Sequence, residues 1–254
     1  MKFNTRVPVK IIMLGAGGTG GYIARDLYRL LYALDRKIRF IIVDGDLVEA
    51  KNLIRQNFAP GDIGENKAKV LAERYCQTYG LETEFVPHFI ENEKELVDLV
   101  EPRWLSQFTR FVNGRWVKIR NFELSILIGA VDNNKSRIMC HSVFQKVKPL
   151  VYIDSGNGHY SGQVICGIRN WQRTVRPPVG DVYPLLDNDK FPSQLSCAEA
   201  AVSSPQSIMA NISAATAVLS MVYDIVALGE LNTFSTVFDS RRVQTRPVSY
   251  NKAA

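Results

Sequence analysis

Gly15-Ala16-Gly17-Gly18-Thr19-Gly20 lies between two segments of different hydrophobic period. Residues 9–14 form an apolar run that reads as a buried strand, and residues 21–34 place Ile23, Leu27, Leu30, Leu31 and Leu34 on one helical face. A strand, a GxGxxG turn and a helix make a nucleotide-binding unit. The glycines serve a tight turn, close approach of backbone to phosphate, and close helix–strand packing. The helix start offers free N–H groups and a partial positive charge to an anion. Gly15, Gly17, Gly18 and Gly20 are therefore the first candidate binding residues.

Downstream, residues 39–43 read as a second buried strand ending in Asp44-Gly45-Asp46. Asp44 stands where an acid accepts hydrogen bonds from ribose hydroxyls, and Asp46 either shares that role or faces solvent. An acid at this point suits NAD as well as ATP. Asn52, Arg55, Gln56 and Lys67 tip the balance toward ATP. An adenylating enzyme must hold a triphosphate and stabilise charge moving toward pyrophosphate, which cations and preorganised donors do. Arg suits forked contacts with phosphate and Lys a point contact. Asp132 falls at the carboxyl end of a later strand, 125–131, where open α/β sheets place ligands; it is the candidate Mg2+ ligand. Asn133 reads as the cap of the next helix.

The remaining pattern predicts helices at 66–79, 91–100, 135–146 and 207–228, with Gly80 and Gly229 as stops. Further strands are predicted at 84–88, 150–154 and 163–169, and a closing hairpin at 233–238 and 242–247. Asn113-Gly114 marks a hairpin of 108–112 with 115–119, inside an insertion near 101–122. Residues 171–196, rich in proline, read as a crossover-type loop. Buried strands alternating with helices imply a parallel sheet covered on both faces. The tight return near 156–162 adds antiparallel pairing. The expected fold is α/β: a Rossmann-like open sheet, parallel in its N-terminal part and antiparallel in its C-terminal strands, with helices on both faces. A length of 254 residues fits one such domain.

Composition narrows the class further. The chain is 46% hydrophobic and 22% charged, ordinary for a domain with a sizeable core. Cys76, Cys140, Cys166 and Cys197 form no CxxC pair, so neither a zinc knuckle nor a disulfide framework is expected. A reducing cytoplasm is the expected compartment, as the first residues contain no signal-peptide core. Residues 207–229 imitate a membrane span, but Asn211, Ser213, Thr216, Ser220 and Asp224 interrupt them, so a buried helix is expected. The net charge is +6 with the basic residues scattered, the densest group being Arg241, Arg242, Arg246 and Lys252; this favours an anionic ligand or acidic partner over nucleic acid. No serine sits in a GxSxG elbow and no P-loop is present. The histidines, His88, His141 and His159, lie in no recognisable catalytic motif.

Taken together, Gly15–Gly20, Asp44, Asn52-Leu53-Ile54-Arg55-Gln56, Asp62-Ile63-Gly64-Glu65-Asn66-Lys67 and Asp132-Asn133 resemble the ThiF/MoeB/E1-like enzymes that activate ubiquitin-like proteins. The match covers roughly residues 8 to 165. Asp154-Ser155-Gly156, Ser161-Gly162-Gln163-Val164, Ser196-Cys197-Ala198-Glu199-Ala200, Pro205-Gln206 and Asn211 look most similar to the ThiF-like members of the bacterial PRTRC group. The resemblance implies Mg-ATP-dependent adenylation of the C-terminal glycine carboxylate of a small ubiquitin-like or sulfur-carrier protein, by a homodimer. It assigns ribose to Asp44, phosphates to Arg55 and Lys67, and the metal or the attacking carboxylate to Asp132. It makes Cys197 the candidate thioester-forming thiol. The chain departs from the family in three ways. The zinc-binding CxxC pairs are absent, so no structural zinc is expected. The N-terminal arginine segment is missing, with Arg6 a poor substitute. One residue is deleted between Asn52 and Lys67. Alternatives left open are an E1-like assembly or regulatory protein with weak catalysis, and an NAD-dependent oxidoreductase.

Overall fold

The computed structural model describes residues 1–34, 36–187, 189–194 and 206–248. Its frame is a mixed sheet. The strands β1 (Val9–Leu14), β2 (Ile38–Val43), β3 (Thr83–Val86), β6 (Leu124–Gly129) and β7 (Leu150–Asn157) run parallel in the order β3-β2-β1-β6-β7. β8 (Ser161–Arg169), β10 (Ser235–Asp239) and β11 (Gln244–Pro247) extend it antiparallel, and the short β9 (Thr174–Arg176) also pairs with β8. The order reverses between β1 and β6, so a crevice opens at their carboxyl ends, the ligand position of open α/β sheets.

Period-two alternation along each strand builds two cores. Val9, Ile11 and Met13 of β1 face helices α1 (Gly18–Tyr32), α2 (Lys67–Tyr79) and α6 (Ile208–Tyr223). Ile12 and Leu14 face α3 (Glu93–Val100), α4 (Asn134–Lys146) and the short α5 (Val179–Val182). The expected fold class is thus the observed one. Lys10, inside the otherwise apolar β1, is buried; it lies 3.3 Å from Glu123 and donates to the Glu101 carbonyl at 2.6 Å. The segment that imitates a membrane span is a core helix: α6 packs on α1, β7 and β8, continues as a π turn at Asp224–Leu228, and stops at Gly229 with φ 69°.

Local signals hold at most termini. Asn66, Asn133 and Ser207 each cap a helix by accepting a backbone N–H, and Gly80 ends α2 in the left-handed region. The expected hairpin is present and longer than its turn signal alone indicated. β4 (Trp104–Val112) and β5 (Arg115–Phe122) form a separate two-stranded sheet turning on Asn113 and Gly114, both with positive φ. Two boundaries differ in a way that matters. α1 begins at Gly18, inside the glycine stretch, rather than at residue 21; β7 runs through Asn157 rather than ending at residue 154. Both shifts bring polar groups to the crevice.

Candidate active site

The glycine stretch is shaped by two close approaches. Gly15 has φ +94°, and a Cβ there would meet the Ala130 carbonyl oxygen at 2.5 Å. A Cβ on Gly20 would meet the Gly15 carbonyl oxygen at 2.0 Å. Gly20 therefore serves packing and does not line the cavity, whereas Gly15, Gly17 and Gly18 do. Beside Gly17 there is open space, the nearest atom to a built Cβ being Gln56 Nε2 at 3.8 Å. No side chain caps the start of α1, which leaves its first N–H groups for a ligand.

The cavity above this turn has a volume of about 830 Å³, a size that takes a nucleotide. Asp44, Asp46, Asn52, Arg55, Gln56, Lys67 and Asp132 all line it, so every expected site residue among the described ones converges there except Gly20. Cys197 lies outside the described residues.

Asp44 is buried, and both its carboxylate oxygens are engaged. Oδ2 accepts from the Ala16 N–H at 2.6 Å and Oδ1 from the Asp46 N–H at 2.8 Å. It thereby ties the glycine turn to the end of β2. Burial pushes its pKa up to about 6, against the pull of Lys67 and these two donors. Lys67, itself buried at the start of α2, reaches Asp46 Oδ2 at 2.8 Å. The Asp46 carboxylate is half exposed, so Lys67 lies between solvent and core with its charge directed to the cavity rim. Asn66 holds the same corner, donating to the Asp44 and Asp46 carbonyls at 2.8 and 3.1 Å.

Asn52 accepts from the Glu49 N–H at 2.9 Å and shapes the 3-10 turn Ala50–Ile54, which delivers Arg55 and Gln56. The buried Gln56 Oε1 has no hydrogen-bond partner among the described residues, and Gln56 Nε2 is the amide atom nearest Gly17. Asp132 is exposed at the end of β6, and no cluster of three metal-binding side chains occurs among the described residues.

Several residues in or just behind the cavity wall were not among the expected site residues. Asn157, at the end of β7, accepts from Thr19 Oγ1 at 3.2 Å and donates to Asn211 Oδ1 at 2.9 Å. Asn211 is fully buried in the first turn of α6 and donates to the Arg55 carbonyl at 3.5 Å. Gln206 accepts from Arg55 Nη1 at 3.1 Å. These side chains form a polar belt around the start of α1. Gln206 and Asn211 entered the sequence reading only as marks of resemblance. Their contacts with Arg55 join segments more than 150 residues apart, which no local spacing encodes. Arg137 forms part of the cavity wall: its Nη2 donates to the Val131 carbonyl at 2.9 Å and the Ser155 carbonyl at 3.2 Å, and its Nε lies 3.4 Å from the buried Asp154. A signal for it was present, since Arg137 sits one helical turn beyond the Asn133 cap.

No histidine lines the cavity. His88 pairs with Glu95, His141 faces Asp181, and His159 stacks on Tyr160. Cys140 and Cys166 are buried, and burial raises both thiols, Cys140 to about 12; neither is a nucleophile.

A doubly covered sheet with a glycine-turn cavity at its switch point, ringed by carboxylates and cations, defines a Rossmann-like α/β protein with a ligand crevice. More narrowly, the chain belongs to the ThiF family, whose model matches residues 7–253. No curated protein sequence matches it. Among solved structures, the fold is similar to selenomethionine PaaA (18% identity, TM-score 0.64, covering 94% of this chain and 62% of that one). It is similar also to E. coli MccB with ATP (15%, TM-score 0.61, 94% and 63%). A third likeness is the microcin C7 biosynthetic enzyme MccB in complex with N-formylated MccA (16%, TM-score 0.64, 94% and 64%). The chain spans rather less than two thirds of the length of these structures.

Proposed function

We propose that the protein adenylates a C-terminal carboxylate, using ATP. The observation that carries this reading is the convergence of Arg55 and Lys67 with the open start of α1 in one cavity. A dinucleotide dehydrogenase has no need of an arginine and a lysine delivered by the segment after its second strand, and the cavity receives both. MccB, a structural neighbour, has been solved with ATP and with MccA, which accords with a nucleotide and a small peptide or protein as substrates here.

In this reading the ribose hydroxyls donate to Asp44, and the triphosphate lies against the N–H groups at Gly17 and Gly18, with Arg55 and Lys67 on its oxygens. A carboxylate oxygen attacks the α-phosphorus; the bond to the bridging β-phosphate oxygen breaks, and pyrophosphate leaves with the pair of electrons. The protein performs no proton transfer in this step. It aligns the reactants and stabilises the growing negative charge with fixed cations and N–H dipoles. Asp132, a carboxylate placed for it at the cavity, would hold Mg2+, and the ion would offset negative charge on the triphosphate.

The carboxylate belongs to the C-terminal glycine of a small ubiquitin-like or sulfur-carrier protein, as the resemblance implies, and Cys197 is the thiol that would accept the activated chain. By the same reading residues 1–254 act as one adenylation domain, in a homodimer of the PRTRC-associated kind, in the cytoplasm.

The test is thermal unfolding with Mg-ATP and, separately, with NAD, because a ligand that binds only the folded state raises the apparent melting temperature. At a hundredfold excess over Kd the stabilisation is about 2.7 kcal/mol, or about 5–10 °C for a chain of this size. A rise with Mg-ATP alone is expected. A rise with NAD alone would replace this reading with a dehydrogenase, and no rise with either would leave a partner protein without a working site.

The raised Asp44 carboxyl adds a pH signature. Below about pH 6 it carries a proton and loses acceptor capacity for the ribose hydroxyls, so nucleotide affinity should fall as pH drops through that value. Asp44→Asn should bind more weakly at pH 8 and retain only the pH dependence of the nucleotide itself. Isothermal titration from pH 5 to 8 reads both; an unchanged profile in the variant would remove Asp44 from the ribose site.

A further inference from the structure

The hairpin β4–β5 stands at the opposite pole from the cavity. β5 ends at Phe122 and β6 begins at Leu124, which pairs with Val9 at the amino ends of the parallel strands, whereas the crevice opens at their carboxyl ends. Residues 102–122 contain Arg103, Arg110, Arg115, Lys118 and Arg120 and no acid. None of these five cations makes an ion pair among the described residues.

The register sorts the hairpin into two faces. The cross-strand pairs Phe111–Trp116, Thr109–Lys118 and Gln107–Arg120 share one face, which continues past a bulge to Trp104–Phe122. Except for Phe122, every residue of this face is exposed, with Trp116 at 72% and Phe111 and Trp104 each at 58%. Rings thus stand at both ends with cations and an amide between them, over about 20 Å of strand. At the tip, Phe111 and Trp116 pack edge-to-face at 5.3 Å; at the base, Phe122 packs on Trp171 at 4.2 Å and ties the ribbon to the body. The aliphatic Val117 and Ile119 lie on the other face, paired with Arg110 and Phe108.

A two-stranded ribbon with large rings in water is marginal by itself, so this face calls for a ligand. Flat rings, cations and an amide, without an aliphatic side chain, are the groups that stack on bases and neutralise phosphates. A second copy meeting this face about a twofold axis through its middle would bring Lys118 and Arg120 near their own counterparts, a like-charge contact.

We propose that the exposed face of the β4–β5 hairpin binds single-stranded nucleic acid, stacking bases on Trp104, Phe111 and Trp116 and pairing phosphates with Lys118 and Arg120. The scattered charge seen in the sequence becomes, on this ribbon, a local excess of cations. This activity is separate from adenylation and does not depend on it.

The experiment is fluorescence anisotropy of a labelled oligo-dT of about 20 nucleotides, a length spanning a few stacking sites, with the full chain, over a range of salt. Binding is expected, with log affinity falling linearly against log salt. Phe111→Ala with Trp116→Ala should weaken it at least about tenfold, since each lost base stack is worth that order. Lys118→Gln with Arg120→Gln should weaken it and flatten the salt slope, and this charge pair serves if the aromatic variant fails to fold. Absence of binding at low salt would overturn the proposal. So would an affinity indifferent to the aromatic pair and matched by poly-glutamate, which would point to an acidic protein. Loss of self-association in the aromatic variant by sedimentation, without an effect on oligo-dT, would make the face a contact between copies and refute nucleic acid binding.

Discussion

Replacing Arg55 by Ala is expected to lower carrier-dependent exchange of pyrophosphate into ATP by about 10²–10³-fold, the usual cost of removing one fixed donor from a charge-stabilising site. Arg55 lies on the cavity wall with one guanidinium nitrogen on Gln206 and the rest of its fork uncommitted among the described residues. In the proposed reaction the negative charge on the departing pyrophosphate rises in the transition state, so a cation held there lowers the barrier more than it tightens ground-state binding. The rate should therefore fall more than the apparent affinity for ATP. Arg55→Lys should recover part of the loss, because it keeps the charge and forfeits the fork. Cys197→Ala should leave exchange intact, since any thioester forms after the adenylate. Full exchange in Arg55→Ala would remove the phosphate role from this residue, and loss of exchange in Cys197→Ala would put that thiol in the first step.

What the sequence disclosed of this site divides by range. Strand and helix periods, the cap at Asn133, and the left-handed stops at Gly80 and Gly229 are local signals, fixed by backbone sterics and by side chains within a turn, whereas Asn66 and Ser207, read as first helical residues, stand one position earlier as caps. The positions of Asp44, Asn52, Arg55, Gln56, Lys67 and Asp132 follow from the order of strands and turns in a doubly wound sheet, so they too were legible. The belt of Asn157, Gln206 and Asn211 was not, because it depends on α6 meeting α1 and β7 across the sheet. The register of α1 was missed for a related reason. Glycine has poor helix propensity, so a helix starting at Gly18 runs against the local rule. The structure offsets that cost by contact, because Asn211 occupies the space that a side chain on Gly18 would need, its Nδ2 lying 2.2 Å from a built Cβ.

Gly20→Ala and Gly17→Ala should fail in opposite ways, although both alter one motif. A methyl on Gly20 meets the Gly15 carbonyl oxygen at 2.0 Å and its carbon at 2.8 Å, and these are backbone atoms that no rotamer change can move aside. Either α1 must shift from β1 or the glycine turn must open, and overpacking of this kind costs about 2–3 kcal/mol. For a chain of this length that is a fall in melting temperature of about 5–10 °C without ligand, with the Mg-ATP response reduced because the turn is distorted. A methyl on Gly17 meets only Gln56 Nε2 at 3.8 Å and projects into the cavity. Gly17→Ala should lose most of its response to Mg-ATP while its unliganded melting temperature falls by less than that of Gly20→Ala. Scanning calorimetry of the two variants with and without Mg-ATP separates packing from ligand approach. An unliganded Gly20→Ala as stable as the parent chain would refute the close helix–strand contact, and a full Mg-ATP response in Gly17→Ala would move the phosphates off the start of α1.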